Sequence, residues 1–307
     1  MSRFMIGGPG AVGVALGWAL EKSGHEVRFF GRGGAVAVRA TLTACGAPHR
    51  LAFPAMESGS RPDAVFFCVK AGQLRDALCL ADRLVHDDAS FVVLCNGVVE
   101  EVIHQWVKSE RVPGRPQRTV RLGTCTVGVT KTETNAQSVS DPEFVIRSTQ
   151  GTWSWGALLP AEGKAADWEK DLFGSRFFSW AQDVRSLVRT KWLINTVINS
   201  IAGAHRLPAN GAMLAMAEIV DGTFAEALRL GTELWGPWTT PDEELKALIW
   251  SVIRDTAENE NSLARDVRLG RETESPWFAG LAAGRQGYDR LHEWHQRIQS
   301  MADVICL

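Results

Sequence analysis

Residues 3–13 read RFMIGGPGAVG: a short apolar run gives way to glycines, and then to the helical stretch AVGVALGWALEKSG, which ends at Gly24. A second apolar run, VRFF at 27–30, follows at once. Strand, glycine turn, helix and strand in this order make a βαβ unit, which commits the chain to a parallel sheet. Gly8-Pro9-Gly10-Ala11-Val12-Gly13 carries the GxGxxG spacing inside that setting. The first glycine permits a tight turn, the second lets a pyrophosphate approach the backbone, and the third lets helix and strand pack closely. The helix N-terminus adds N–H donors and partial positive charge. Pro9 takes one N–H out of the loop. The unit as a whole predicts dinucleotide binding.

The end of the second strand selects the cofactor. A site for NAD places Asp or Glu roughly 20 residues on, to bond the ribose 2′-hydroxyl. Here the strand runs VRFFGR and ends in Arg32, nineteen residues after Gly13, with no carboxylate at that position. A guanidinium there can hold a 2′-phosphate through two hydrogen bonds. Arginine present and acid absent together predict NADPH as the cofactor.

The first half continues the alternation. DAVFFCV (63–69) and SFVVLCN (90–96) are nearly continuous apolar runs, as strands buried on both faces should be. RLGTCTVGV (121–129) and GTWSWGAL (151–158) suggest further strands, with helices on both faces of the sheet. Beyond about residue 180 long helical patterns take over: 187–205, then 211–232 with an interruption at Gly222, then 242–267 as one helix started by Pro241-Asp242. The predicted fold class is α/β, an N-terminal Rossmann-type doubly wound sheet at 1–182 followed by an all-helical domain at 183–307.

Composition removes several classes of function. The chain has 307 residues, 45% of them hydrophobic and 22% charged, and a formal net charge of −2. That balance suits a globular protein and gives no electrostatic case for nucleic acid or an anionic membrane as partner. No apolar run approaches the ~18 residues of a membrane span, and MSRFMIGGPG lacks a signal-peptide pattern. Cys45, Cys68, Cys79, Cys95, Cys125 and Cys306 form no CxxC pair and read as small hydrophobes in a reducing cytoplasm. HEWH at 292–295 is not HExxH and has no third ligand nearby, so no metal is expected. The sequence does not fix the oligomeric state; a homodimer is compatible with it.

The helical half carries its own signal in KWLINTVINS at 191–200. At 100° per residue, Lys191, Asn195 and Asn199 fall at about 0°, 40° and 80°, while Ile194, Val197, Ile198 and Ile201 cluster between about 240° and 340°. The polar stripe therefore borders the core face. Buried lysine needs a partner and buried amides need hydrogen bonds, conditions that a stripe facing a cleft at a domain junction meets. Helix–helix hydrogen bonding would also explain the two asparagines.

With these residues in place the chain resembles the ketopantoate reductase (2-dehydropantoate 2-reductase) family. The likeness rests on GPGAVG (8–13), Arg32, VKAGQL (69–74), CNGVVEE (95–101), KWLINTVIN (191–199) and TAENENSLARDVRLGRETE (256–274), in that order. It reaches about residue 280. Residues 281–307 depart from the family pattern, with no Val-Pro-x-Asn segment before the final helix. The resemblance implies a Rossmann domain joined to a helical one and an NADP-dependent oxidoreductase acting on CH–OH. It implies that Lys70 joins Arg32 near the adenosine phosphate and that Gln73 lines the cofactor groove. It implies that Asn96 and Gly97 contact nicotinamide and substrate, and that Lys191 donates the proton with Glu274 as second catalytic residue. Asn195, Asn199, Asn259 and Ser262 match positions that hold a small 2-keto acid. The expected reaction is reduction of 2-dehydropantoate to (R)-pantoate in pantothenate and coenzyme A biosynthesis. Two alternatives stand beside it. One is a paralogue reducing another 2-keto or β-hydroxy acid, suggested by Trp235, Trp238, Trp250 and Trp277; the other is a non-catalytic NADPH-sensing protein.

Overall fold

The computed structural model describes residues 1–55, 61–110, 118–132, 141–147, 151–159 and 164–305, the last four by backbone alone. Cys306 lies outside the described residues. The chain divides into two compact units. One comprises Met1–Cys95 and Val99–Arg185, and the other Asn96–Val98 and Ser186–Leu307. The fold is a mixed α/β sheet with helices in the first unit and helices alone in the second.

The first unit opens with β1 (Arg3–Gly7), α1 (Ala11–Lys22) and β2 (Glu26–Gly31), followed by β3 (Gly34–Val36), β4 (Val38–Ala44) and β5 (Ala47–Phe53). Then come β6 (Ala64–Phe67), α2 (Leu74–Leu84), β7 (Ser90–Val93), α3 (Glu100–Ser109) and β8 (Val120–Cys125). β9 (Val129–Lys131), β10 (Glu143–Ile146), β11 (Trp153–Leu159), α4 (Asp167–Phe173) and β12 (Phe178–Trp180) complete it. The main sheet has the order β12-β11-β8-β7-β6-β1-β2-β3. Its central strands β2, β1, β6, β7 and β8 are parallel. The sheet is mixed rather than wholly parallel, because β11 runs antiparallel to β8 and β3 antiparallel to β2.

A second sheet, β5-β4-β10-β9, is absent from the sequence reading. Its hairpin turns at Cys45 (φ 51°) and Gly46 (φ 78°), two positive φ values that match the twist of the flanking strands. β10 then joins β4 in parallel, Phe144 opposite Leu42, a pairing of residues about a hundred positions apart that no local periodicity announces. The strand character read in 121–129 belongs to β8 of the main sheet and, at Val129, to the start of β9 of the second.

α1 contacts β1 and β2 of one sheet and β4, β9 and β10 of the other. Every residue from Gly13 to Leu20 is therefore buried, and the helix is apolar all round. Gly17 marks the closeness of the packing: a Cβ there would stand 3.0 Å from Phe53 of the second sheet and 3.1 Å from Phe29 of the first. Phe4, Ile6, Phe29 and Phe66 belong to this core. The alternate residues Phe30, Phe67 and Phe91 make a run of edge-on ring contacts, and Phe91 stacks on Trp106 of α3.

The second unit holds α5 (Val184–His205, which starts two residues earlier, in the first unit), α6 (Ala217–Trp235), α7 (Asp242–Asp255), α8 (Ser262–Arg268) and α9 (Asp289–Ile305). Residues 210–215 are 3-10 rather than α-helical, and α6 runs through Gly222 without a break. That glycine makes room for a side chain, since a Cβ on it would meet the Arg290 guanidinium at 2.5 Å. The helix expected over 242–267 is two. Thr256 ends α7 by turning its hydroxyl onto the Val252 carbonyl (2.7 Å), where it also accepts from the Asn210 amide (2.8 Å). Asn261 then caps α8, its side-chain oxygen accepting from the Leu263 N–H at 2.9 Å.

One charge pair is sealed inside the main sheet. Arg121 of β8, 3% exposed, meets Glu169 of α4, which is fully buried, at 3.0 Å, and the Trp155 indole donates to the same carboxylate at 2.8 Å. Removing one partner of such a pair strands the other in a low-dielectric interior. Glu169→Ala is expected to lower the unfolding free energy by about 3–5 kcal/mol in urea titrations. Asp167→Asn, whose partner Lys170 is exposed, should move the midpoint little.

Candidate functional site

In the first unit the predicted phosphate loop lies where β1 ends. The helix of one neighbouring crossover leads toward β2, while β6 and β7 lie on the opposite side of β1, so β1 and β6 flank the point at which strand order reverses. Ligands of open α/β sheets bind at such points, beyond the carboxyl ends of the strands. Gly8 has φ +96°, and a Cβ on it would stand 2.6 Å from the Cys68 carbonyl oxygen. A Cβ on Gly13 would stand 2.1 Å from the Gly8 carbonyl oxygen, so only glycine lets α1 start this close to the strand. A Cβ on Gly10 would meet nothing within 4 Å, and Gly10 caps α1 with no side-chain hydrogen bond to the first-turn N–H groups. Pro9 is exposed, and Ala11 and Val12 are half-buried at the start of that turn. This is a cradle that fits a pyrophosphate: two glycines demanded by close approach, and a third that leaves the helix N-terminus accessible.

The remaining cofactor candidates sit on neighbouring strand ends. Arg32 is exposed at the corner of the β2–β3 hairpin, where Gly31 pairs with Gly34. Lys70 and Gln73 follow β6, Lys70 at the N-terminal cap of a 3-10 turn (Ala71–Gln73) whose last N–H bonds back to the Lys70 carbonyl at 2.9 Å. Desolvation pushes the Cys68 thiol well above its ordinary value of 9.0, with Cys125 and Cys95 adding to the effect. The thiol beside the cradle therefore stays neutral and adds no repulsion toward an anion.

In the second unit Asn96, Gly97 and Glu274 are linked through a short set of contacts that reaches Trp192, the residue after Lys191. The Asn96 side-chain amide donates to the Glu274 carboxylate at 3.2 Å. Glu274 begins a 3-10 turn (Ser275–Trp277), its carbonyl accepting from the Trp277 N–H at 2.9 Å. The Trp277 carbonyl in turn accepts from the Trp192 indole at 3.1 Å, and Trp192 is the residue after Lys191 on α5. A Cβ on Gly97 would stand 3.3 Å from the Trp277 Cβ, so the Asn96-Gly97 turn lies against the same segment. Trp192 is itself fully buried and edge-on to Trp235 at 4.7 Å. The segment bearing Glu274 is thus tied to α5 by a main-chain carbonyl, and Lys191 and Asn195 are half-buried one turn apart on that helix.

The asparagines divide into two environments. Asn199, 7% exposed, accepts from the amide of Asn261 at 2.8 Å. Asn261 is equally buried and also caps α8, so this pair ties α5 to the start of α8. Asn259 is half-buried, and its carbonyl accepts from the Asn210 N–H at 3.0 Å. Ser262 is exposed at the first position of α8. The sequence reading passed over Asn261, although an asparagine directly before Ser-Leu-Ala is a helix-start signal.

It also passed over the support behind Glu274. Ser275 is fully buried, and its hydroxyl lies 2.8 Å from His295 Nδ1 on α9. Gly280 packs against that imidazole, a Cβ there meeting it at 2.9 Å, and His292 bonds the Ala282 carbonyl at 2.7 Å. Desolvation, with some help from His292, pushes His295 below its ordinary value of 6.5. Among the described residues no group of three or more His, Cys, Asp or Glu could hold a metal ion, and no helix is long and apolar enough to cross a membrane.

Two family models, described as ketopantoate reductase PanE/ApbA and its C-terminal domain, match residues 4–152 and 183–285. A 2-dehydropantoate 2-reductase of Yersinia pestis is 31% identical over 107 residues, 35% of this chain and 34% of that protein. One of Pyrococcus horikoshii is 26% identical over 293 residues, 91% of this chain and 88% of that protein. Among solved structures, a probable 2-dehydropantoate 2-reductase of Bacillus subtilis superposes with a TM-score of 0.73 at 22% identity, covering 97% of this chain and 99% of that one. A D-mandelate dehydrogenase in complex with NADH and anilino(oxo)acetate superposes with a TM-score of 0.77 at 18% identity, covering 99% of this chain and 100% of that one.

The histidines set a pH dependence of stability. His295, His205 and His25 are all pushed below 6.5, chiefly by desolvation. A base whose folded pKa is depressed binds fewer protons folded than unfolded. Stability is therefore fully present above the unfolded value of 6.5 and is lost as pH falls through the lower folded values. Melting temperature is expected to drop between pH 7.5 and 5.5, and His295→Asn should shrink that drop.

Proposed function

The chain belongs to the ketopantoate reductase family, and from that premise we propose that it reduces a 2-keto acid with NADPH, converting 2-dehydropantoate, the compound for which its relatives are named, to (R)-pantoate. The observation that carries this reading is the tie between Glu274 and Asn96, on a segment bonded through Trp277 to the residue beside Lys191. The Asn96 and Glu274 motifs, 178 residues apart in the chain, are joined by that bond, and the Lys191 motif reaches the same segment through Trp192.

The chemistry that a bound reduced nicotinamide supplies is a hydride for the keto carbon. Gly8, Gly10 and Gly13 would cradle its pyrophosphate against the start of α1, with Pro9, Ala11 and Val12 forming the rest of that loop. Arg32 would pair with the 2′-phosphate, Lys70 would add a second cation, and Gln73 would line the groove. Lys191 donates a proton from Nζ to the carbonyl oxygen as its π pair becomes an alkoxide lone pair, and regains one from solvent. The same ammonium stabilises the charge that develops on that oxygen. Glu274 holds Asn96 and offers a carboxylate to the lysine or to the nascent hydroxyl. Asn195, with Asn259 and Ser262, can fix the substrate carboxylate and hydroxyls without adding charge. Asn199 contributes chiefly by holding the start of α8, through Asn261. Such a reaction would suit a small-molecule enzyme of the cytoplasm.

Steady-state assays with 2-dehydropantoate and NADPH test the proposal, and background turnover with every 2-keto acid offered would overturn it. Lys191→Ala is expected to lower kcat by about two to four orders of magnitude while NADPH binding, followed by fluorescence, persists. Arg32→Ala should raise KM for NADPH and leave KM for NADH nearly unchanged; equal losses would exclude a 2′-phosphate contact.

A further inference from the structure

Four tryptophans in the helical half invite a substrate role, and the structure accounts for three of them. Trp235 is edge-on to Trp192, Trp238 donates to the Leu228 carbonyl at 3.1 Å, and Trp250 donates to Asp221 at 3.1 Å. All three pack on the core of the helical unit. Trp277 does not. Among the described residues it belongs to neither hydrophobic core and pairs with no other aromatic ring, yet its backbone is held at both ends, by Glu274 and by Trp192. It is half-buried, three residues after Glu274, with its Cβ beside Gly97. An indole is a large rigid apolar surface that orders at little entropic cost, and such a surface beside polar groups is the usual makeup of a small-molecule site.

We infer that Trp277 is a specificity-determining residue whose indole packs against a branched apolar substituent on C3 of the 2-keto acid. This rests on the proposed reaction at Lys191 and Glu274. The polar groups there, Lys191, Asn96 and Glu274, suit the keto and carboxylate end that all such acids share. Trp277 supplies the apolar surface that can tell one member from another. Each methylene received by an apolar site is worth about 10–200-fold in kcat/KM. A substrate with a fully substituted C3 should therefore be strongly favoured over one with a bare methyl.

The test compares 3,3-dimethyl-2-oxobutanoate with pyruvate in the full-length protein, using NADPH oxidation. The first carries only methyl groups on C3, so it isolates the apolar contact from any hydroxyl recognition. The wild type should favour it in kcat/KM by at least about 100-fold. Trp277→Ala should cut that ratio at least about tenfold, and Trp277→Phe should restore most of it. Equal losses for both acids in Trp277→Ala, or a wild type without the preference, would overturn the inference. Background turnover with 2-dehydropantoate and every other acid would instead overturn the reaction itself. Should Trp277→Ala not fold, Trp277→Leu gives the same comparison, with a smaller expected fall in the ratio.

Discussion

Burial of the central strands on both faces is the constraint from which the rest of the first unit follows. β6, β7 and β8 are buried at every residue. A strand sealed in this way can carry a charge only if the charge is neutralised in place, as Arg121 is by Glu169. Polar chemistry is thereby excluded from the body of the sheet and pushed to the strand ends. At the carboxyl ends of β1, β2 and β6 the chain turns through Gly8–Gly13, Arg32 and Lys70, and there backbone N–H groups and cations are free of the apolar interior. The glycines are needed because the close packing that buries α1 leaves no room for a Cβ between its first turn and the end of β1.

The helical unit solves the same problem with one long helix. α5 buries Trp192, Leu193, Val197, Ile198 and Ile201, which fixes its rotation and places Lys191 and Asn195 at the border of the core. The Trp192 indole is the one polar atom of that buried ring, and its need for an acceptor is met by the Trp277 carbonyl. A requirement of the core thus holds the Glu274 segment against the helix that bears the lysine. The Ser275–His295 contact braces the same turn, so the Glu274 segment is held by two contacts that leave its carboxylate out.

Much of this is legible in the sequence where the cause is local. The glycine loop, the apolar strands and α5 each announce themselves within a dozen residues, because period, turn chemistry and burial act over that range. The second sheet does not. Its β4–β10 pairing joins residues about a hundred positions apart, and its turn uses Cys45 at a positive φ where Asn or Asp would have been the signal. The break between α7 and α8 was hidden for a related reason. Leu245, Ile249, Val252, Leu263 and Val267 keep a helical period across it, while the decisive event is a side-chain capture by Asn261 that periodicity does not encode. Asn199 likewise read as one of a polar stripe, and its partner is 62 residues away in the chain.

The way the Glu274 segment is held leaves the side chain at 277 out of the tie. The contact that fixes its segment uses the carbonyl of Trp277 and not the indole, so a different side chain at 277 could accept from Trp192 through the same backbone atom. Substitution at 277 can then alter the apolar surface there while the carboxylate three residues earlier keeps its place. The same holds further along. His295 of α9 reaches the turn through Ser275 and Gly280, and the rest of α9 can diverge as long as those two contacts persist. The tie that holds the Glu274 segment is thus a main-chain one, and the side chain at 277 can vary without breaking it.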